Sequence, residues 1–288
     1  MKFALASSFA PLAILPRFAA AAEESGWDII AMPDHIVNPQ VLRTPYPYTT
    51  DGARRWPEFT NWPDQLVMMG AFAAITKRIR FTTTAFVLPI RSPFLVAKAF
   101  ATLSVVSGNR AVLTAGMGWS RDEFDIVGQD FSTRGKRADE MIEVMRLLWS
   151  GEYVEYHGRF YDFPPIEMNP KPAGHIPIWF AGISEAALRR TARIGEGWLS
   201  EFESAAAITA QLQHLTQLRR EYGRENLPFE VLAAPSDVAD LDGYRRLAEQ
   251  GVTHVLRQPW MLYHPGTKDP DVMIDDIRRF GDEVIARI

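Results

Sequence analysis

Cysteine is absent from all 288 residues, which excludes disulfides, thiol nucleophiles and thiolate metal sites. No apolar run approaches the ~20 residues that a membrane span requires, so no membrane partner is expected. An excess of positive charge is missing too. Lys and Arg number 31 against 35 Asp and Glu, for a net charge of −4 and a pI near 5.9. That leaves no electrostatic basis for a nucleic-acid partner. The six histidines show no metal-ligand spacing, and no metal is expected. Repeats, low-complexity tracts and linkers are lacking as well. A cytoplasmic location is compatible with all of these absences.

One feature imitates a secretory leader. The opening MKFALASSFAPLAILPRFAAAAEE has Lys2, an apolar run and an alanine tract. Ser7-Ser8, two prolines and Arg17 interrupt the run, however. The same residues read as a strand (Phe3 to Ala6) and a helix ending at Gly26, and we take them as part of the fold.

What the chain does have is 47% apolar content and a regular alternation of elements. Phe81 to Trp119 is its clearest stretch. Phe81 to Val87 is β-branched and apolar, as a strand buried on both faces requires. Ser92-Pro93 supplies a helix start. Val96, Ala99, Phe100 and Leu103 follow at helical spacing, and Gly108 suits a left-handed C-cap. Arg110 to Ala115 is a second buried strand that ends in Gly116-Met117-Gly118-Trp119. This is a βαβ unit with parallel strands.

The rest of the chain repeats the pattern. Trp27 to Met32 is a strand stopping at Pro33-Asp34-His35, and a long aromatic connection then runs from Ile36 to Trp62. Pro63 opens a helix with Leu66, Met69, Gly70 and Ala73 inward. Beyond Trp119, an insertion containing Asp122, Glu123 and Phe124 leads to a helix from Arg134 that carries Met141, Ile142 and Met145. Tyr153 to Phe163 reads as a hairpin outside the main sheet. Ile178 to Ala181, Gly197 to Leu199, Phe229 to Ala233 and Thr253 to Leu256 are four more strands, each followed by a helix. Eight alternations predict an α/β (β/α)8 TIM barrel over residues 1–288 as a single domain. Its insertions fall after strands 2 and 4 and before strand 5.

In such barrels the site lies at the C-terminal ends of the strands. That rule selects Ser7-Ser8, Asp34-His35, Thr84-Ala85, Gly116 to Trp119, Gly182 to Ser184, Ser200-Glu201 and Arg257 to Trp260. Small and aromatic residues dominate, and no pair makes a convincing nucleophile and base. Such a mouth suits a large planar cofactor. Asp122 and Glu123 read as a solvated helix start, Arg134 and Glu140 as a structural pair, and Arg54-Arg55 as loop charges.

At these residues the chain resembles the bacterial-luciferase-like superfamily, and within it the deazaflavin-dependent oxidoreductases. The matching segments are AEESGWDIIAMPDHIVNP, YPY, PDQLVMMGAFAAITKRIRFTTTAFVLPIRSPFLVAKAFATLSVVSGNR, GMGWSRDEF, STRGKRADEMIEVMRLLWSG and KPAGHIPIWFAGISEAALRRTARIGEGWL. The resemblance implies an oxidoreductase passing hydride between coenzyme F420 and a small organic substrate. It also implies a homodimer. An FMN-dependent two-component monooxygenase and a catalytically silent flavin-binding homologue are the alternatives.

The resemblance further implies His35 as the catalytic group near the reacting ring, and Asp34 beside it reads as orienting His35 or capping backbone. It implies cofactor contacts at Thr84, Ala85, Gly116, Gly118 and Trp119, with a non-proline cis peptide at Thr84–Ala85. Gly182, Ile183 and Ser184 would offer backbone amides to the cofactor phosphate, a role that a helix N-terminus suits in its own right. Sugar-phosphate dehydrogenases of the family carry a glutamate where this chain has Trp119, which argues against sugar-phosphate oxidation.

Overall fold

The computed structural model describes residues 1–288. In chain order the elements are β1 (Lys2–Ala6), α1 (Leu15–Glu24), β2 (Ile29–Met32), α2 (Gln65–Ile75), β3 (Arg80–Thr83), β4 (Phe86–Val87), α3 (Pro93–Ser107), β5 (Leu113–Gly116), α4 (Arg121–Ile126) and α5 (Arg134–Leu148). They continue with β6 (Val154–His157), β7 (Asp162–Ile166), β8 (Ile178–Ala181), α6 (Glu185–Ile194), β9 (Gly197–Glu203), α7 (Ala205–Glu221), β10 (Glu230–Pro235), α8 (Leu241–Glu249), β11 (His254–Arg257), α9 (Pro259–Tyr263) and α10 (Pro270–Glu283).

Nine of these strands form one parallel sheet in the order β3-β2-β1-β11-β10-β9-β8-β5-β4. The expected third strand is broken, since β3 and β4 are its two halves. Between them the Thr84–Ala85 peptide is cis, at the position the resemblance implies. The sheet curls round on itself where Phe81 bridges Ala111. β6 and β7 pair antiparallel outside it, as the hairpin expected there. β1 lies in the sheet with β2 on one side and β11 on the other. Residues 2–6 are therefore structural members of the barrel.

The alternation of the strands sorts two cores. Ala4, Ile29, Ala31, Val112, Trp179, Leu199 and Leu232 fill the barrel interior, where the small alanines leave room for the Trp179 indole. The other face of each strand joins the helices in a 56-residue cluster that includes Phe3, Phe18, Phe81, Phe100 and Phe280. Beneath the interior core, buried His254 bonds Asp28 at 2.9 Å, and Arg80 makes a two-pronged pair with Glu230 at 2.9 and 2.8 Å.

Local signals acted as read in most places. Gly108 ends α3 at φ 68, the left-handed cap its sequence suggested. α2 starts two residues after Pro63, because Asp64 accepts from the N–H groups of Leu66 and Val67. Its buried residues are Gln65, Met69, Phe72 and Ala73; Leu66 and Gly70 are only half-buried. β9 runs seven residues rather than three, carrying Glu201 up to the mouth. No helix is long and apolar enough to cross a membrane.

Candidate active site

The C-terminal ends of the strands enclose a cavity of about 1070 Å³, room for a planar cofactor together with a substrate. Thr84, Ala85, Gly116, Gly118, Trp119, Gly182 and Ser184 line it, along with Asp34 and His35. Ile183 does not, and its side chain is exposed instead.

Asp34 and His35 are adjacent in sequence but engaged in different tasks. The Asp34 side chain is fully buried. Its Oδ2 accepts from the Val87 N–H at 2.7 Å and from Arg91 Nη1 at 2.7 Å, while Oδ1 accepts from Nη2 at 2.8 Å. Arg91 in turn sits over the Phe86 ring, 4.1 Å from its centroid. This carboxylate ties β2 to β4. Of the two expectations for Asp34, capping of backbone is the one it meets, since its hydrogen bonds go to the Val87 N–H and to Arg91 and none to His35.

Glu123 holds the histidine instead. Its Oε2 lies 3.2 Å from His35 Nδ1, and its Oε1 accepts from the Ile36 N–H at 2.6 Å. Asp122 beside it accepts from the Thr44 N–H at 2.8 Å and from Arg43 Nε at 2.8 Å. Both carboxylates are buried, not solvated as their position in a polar first turn suggested. The local reading as a helix start was sound, because Ser120 caps α4 by accepting from the Glu123 N–H at 3.3 Å. The Ser-x-x-Glu spacing suggests a capping box, but the Glu123 side chain turns to the loop after β2.

That loop supplies an aromatic wall that sequence reading noted only as aromatic content. Trp56 and Trp62 stand 5.2 and 4.8 Å from the His35 ring and 5.2 Å from each other. Trp119 meets His35 at 5.9 Å and Tyr46 at 5.1 Å, both edge-on. Tyr48 donates to Glu201 at 3.2 Å. Burial, with Glu203 nearby, pushes the Glu201 carboxyl up despite that bond, and burial likewise raises the Tyr48 hydroxyl. Arg54 and Arg55 stay with their own loop. Arg54 reaches Glu58 and the Pro39 carbonyl; Arg55 bonds the Tyr48 carbonyl and lines the cavity.

Around the start of α6 the cavity is cationic. Ser184 caps the helix by accepting from the Ala187 N–H at 3.3 Å, and Gly182 turns the chain there at φ 112. Ser184, Ala186 and Ala187 line the cavity there, and the first N–H groups of a helix lack intrahelical partners. Arg134, Lys136, Arg159 and Arg190 line the same space. Burial and the neighbouring Arg121 and Arg190 cations lower the Arg134 guanidinium from its ordinary value. The expected Arg134–Glu140 pair does not form. Arg134 bonds the Phe131 carbonyl, and Glu140 accepts from the N–H groups of Arg159 and Phe160, anchoring the β6–β7 hairpin. Gly118 serves packing: a Cβ there would sit 2.7 Å from Val87 and 2.8 Å from Phe124.

The model of the luciferase-like monooxygenase family matches residues 4–241. The chain belongs to that family. An uncharacterized protein of Mycobacterium tuberculosis, Rv0940c, is 35% identical over 291 residues, covering all of both chains. An F420-dependent glucose-6-phosphate dehydrogenase of Microbacterium testaceum is 30% identical over 200 residues, covering 68% of this chain and 54% of that protein. In fold, the chain is similar to the coenzyme F420 dependent tetrahydromethanopterin reductase of Methanopyrus kandleri. The TM-score is 0.76 at 16% identity, over 99% of this chain and 98% of that one. It is also similar to the monooxygenase RslO1 of Streptomyces bottropensis, with a TM-score of 0.73 at 20% identity over 99% of each chain.

Proposed function

We propose that this protein is an oxidoreductase that passes hydride between coenzyme F420 and a small organic substrate. The observation that carries the reading is the mouth itself, which joins a positioned histidine to a cationic helix start in one cavity. The F420-dependent relatives support the choice of cofactor. When bound, the deazaflavin supplies two-electron hydride chemistry. Gly182, Ile183 and Ser184 hold its phosphate through backbone N–H groups, and the Arg134–Arg190 side neutralises its anionic tail. Thr84, Ala85 and Gly116 give its ring a wall of small residues.

The protein's own chemical task is then a single proton. His35 donates its Nδ1–H to Glu123 and leaves Nε2 to take or return the substrate proton. Asp34 acts by fixing the strand break beneath the ring. Residues 1–288 form one domain in this reading, and the enzyme works in the cytoplasm. It pairs with a second copy through α2 and α3, whose Val67, Ile75, Leu95, Val105 and Val106 are apolar and exposed.

Fluorescence titration with F420 and with FMN tests the proposal. The expected result is tighter binding of F420. Micromolar FMN binding without F420 binding would instead favour the monooxygenase reading, which the similarity of fold to RslO1 keeps open.

A further inference from the structure

Arg134, Lys136, Arg159 and Arg190 line one side of the cavity, but they are held very differently. Lys136 and Arg159 are exposed, and the Arg159 guanidinium lies 5.3 Å from the centre of the Phe160 ring. Arg134 is turned onto Phe131, donating to its carbonyl at 3.0 Å and lying 3.7 Å from the centre of its ring. Arg190 has a fixed approach. Its side chain is 11% exposed, and its Nε donates to Asp139 Oδ1 at 2.6 Å. That bond uses the inner nitrogen alone. Nη1 and Nη2 have no acceptor in the protein, and neither is sealed from solvent.

Gly135 shows where those two nitrogens lie. A Cβ on that residue would stand 2.9 Å from Arg190 Nη2, and Gly135 itself lines the cavity. The guanidinium thus crosses the first turn of α5 at a spot that a side chain would fill, with its free edge at the cavity wall. Charge points the same way. Asp139 serves two arginines, because its other oxygen accepts from Arg193 Nη2 at 3.0 Å. One carboxylate against two guanidiniums leaves a positive surplus. Burial, with Arg121 and Arg190 nearby, already lowers the Arg134 guanidinium. Cations gathered in a half-buried place favour an anion among them.

We propose that Asp139 is a positioning residue: it grips Arg190 at Nε and aims the two terminal nitrogens into the cavity, as a fork for an oxyanion of the cofactor. Gly135 is the seat that admits the fork. A guanidinium matches an oxyanion through paired N–H groups, and fixing its direction beforehand removes the cost of ordering it on binding. The assignment rests on the reading of the mouth as a cofactor site.

Fluorescence titration of the full chain with two matched pairs tests it: F420 against the tail-free deazaflavin FO, and FMN against riboflavin. The parent protein is expected to favour the anionic member of a pair. Asp139→Ala should lower the affinity for that member by about tenfold, while the neutral member stays within about twofold. Removing a carboxylate adds positive charge to the cavity, so an effect of charge alone would instead tighten the anion. Asp139→Asn, whose amide oxygen still accepts, should recover part of the loss. Arg193→Gln breaks the other leg of the same clamp between α5 and α6 and should leave both affinities unchanged. Gly135→Ala should weaken the anionic member as Asp139→Ala does, with a melting temperature equal to the parent's or higher, since alanine suits a helix better than glycine. It serves as the test should Asp139→Ala fail to fold. A folded Asp139→Ala that binds the anionic member as the parent does, or loses both members equally, overturns the proposal. The FMN pattern without F420 binding leaves Arg190 and Asp139 in these roles and removes the F420 reading. F420 binding that Asp139→Ala and Gly135→Ala leave intact does the reverse, and binding of neither pair overturns both.

Discussion

Glu123 Oε2 lies 3.2 Å from His35 Nδ1, although 88 residues separate the two in the chain. The pair links the loop after β2 to the first turn of α4, and both side chains are buried at the rim of the cavity. Because the other Glu123 oxygen accepts from the Ile36 N–H at 2.6 Å, the carboxylate fixes both the imidazole and the backbone beside it. A histidine held in this way has one nitrogen committed to the protein and one left for a substrate.

His35→Ala is therefore expected to lower turnover by ~10²–10⁴ while cofactor affinity stays within about twofold. Glu123→Ala should show part of that loss, also in kcat and not in cofactor Kd. Glu123→Gln should recover some of it, since an amide oxygen still accepts from Ile36. Steady-state rates paired with cofactor titrations make the comparison. A Glu123→Ala enzyme with undiminished kcat would leave the pair a structural contact only.

Gly182 has φ 112, and a Cβ built on it would stand 3.2 Å from the Ala187 Cβ. Gly182→Val should weaken cofactor binding by about tenfold or more, because a β-branched residue rarely adopts this conformation and would crowd the turn. Melting temperature and cofactor Kd, measured side by side, separate loss of the site from loss of the fold. A well-folded variant with unchanged Kd would move the phosphate elsewhere.

Asp34→Ala is expected to act on stability. It strands the Arg91 guanidinium and the Val87 N–H in a buried place, a loss on the order of 3–5 kcal/mol. Removing Arg91 as well should cost less than the two single losses added together, because the second change takes away the uncompensated charge. Urea unfolding of the single and double variants measures that coupling. Strict additivity would mean that Asp34 and Arg91 do not act as a pair.

Acid stability should depend on Asp28. Burial pushes its carboxyl up, but hydrogen bonds from His254 and Lys2 more than offset this and bring it down to about 2, from an ordinary 3.8. A depressed carboxyl stabilises the fold above its unfolded value and loses that contribution as pH falls toward the folded one. Stability should thus decline between about pH 4 and pH 2, and Asp28→Asn should flatten that slope. Urea midpoints measured across this range test it, and an Asp28→Asn slope equal to that of the parent would shift the role to other carboxylates.

The sequence by itself determined the barrel. Buried strands, helix stripes and caps such as Gly108 are local signals, and each reports the burial of its own segment. The same reading placed the mouth, since the strand ends follow from the strands. It also marked His35, Thr84, Ala85 and Gly182 by position, helped by the ordered resemblance of whole segments. What it misjudged were the partners. Asp122 and Glu123 looked like any polar first turn, because nothing within four residues of them says that the loop after β2 will fold across them. Asp34 read as orienting its neighbour or capping backbone, and its bonds go to Val87 and Arg91, while Arg134 looked paired with Glu140 by proximity alone. Trp56, Trp62 and Tyr48 sit in an irregular loop with no periodicity to report burial, so their convergence on His35 and Glu201 was invisible. Local pattern fixes which residues are buried. Only the closed sheet, by bringing loops from distant strands to one rim, decided which buried polar groups meet.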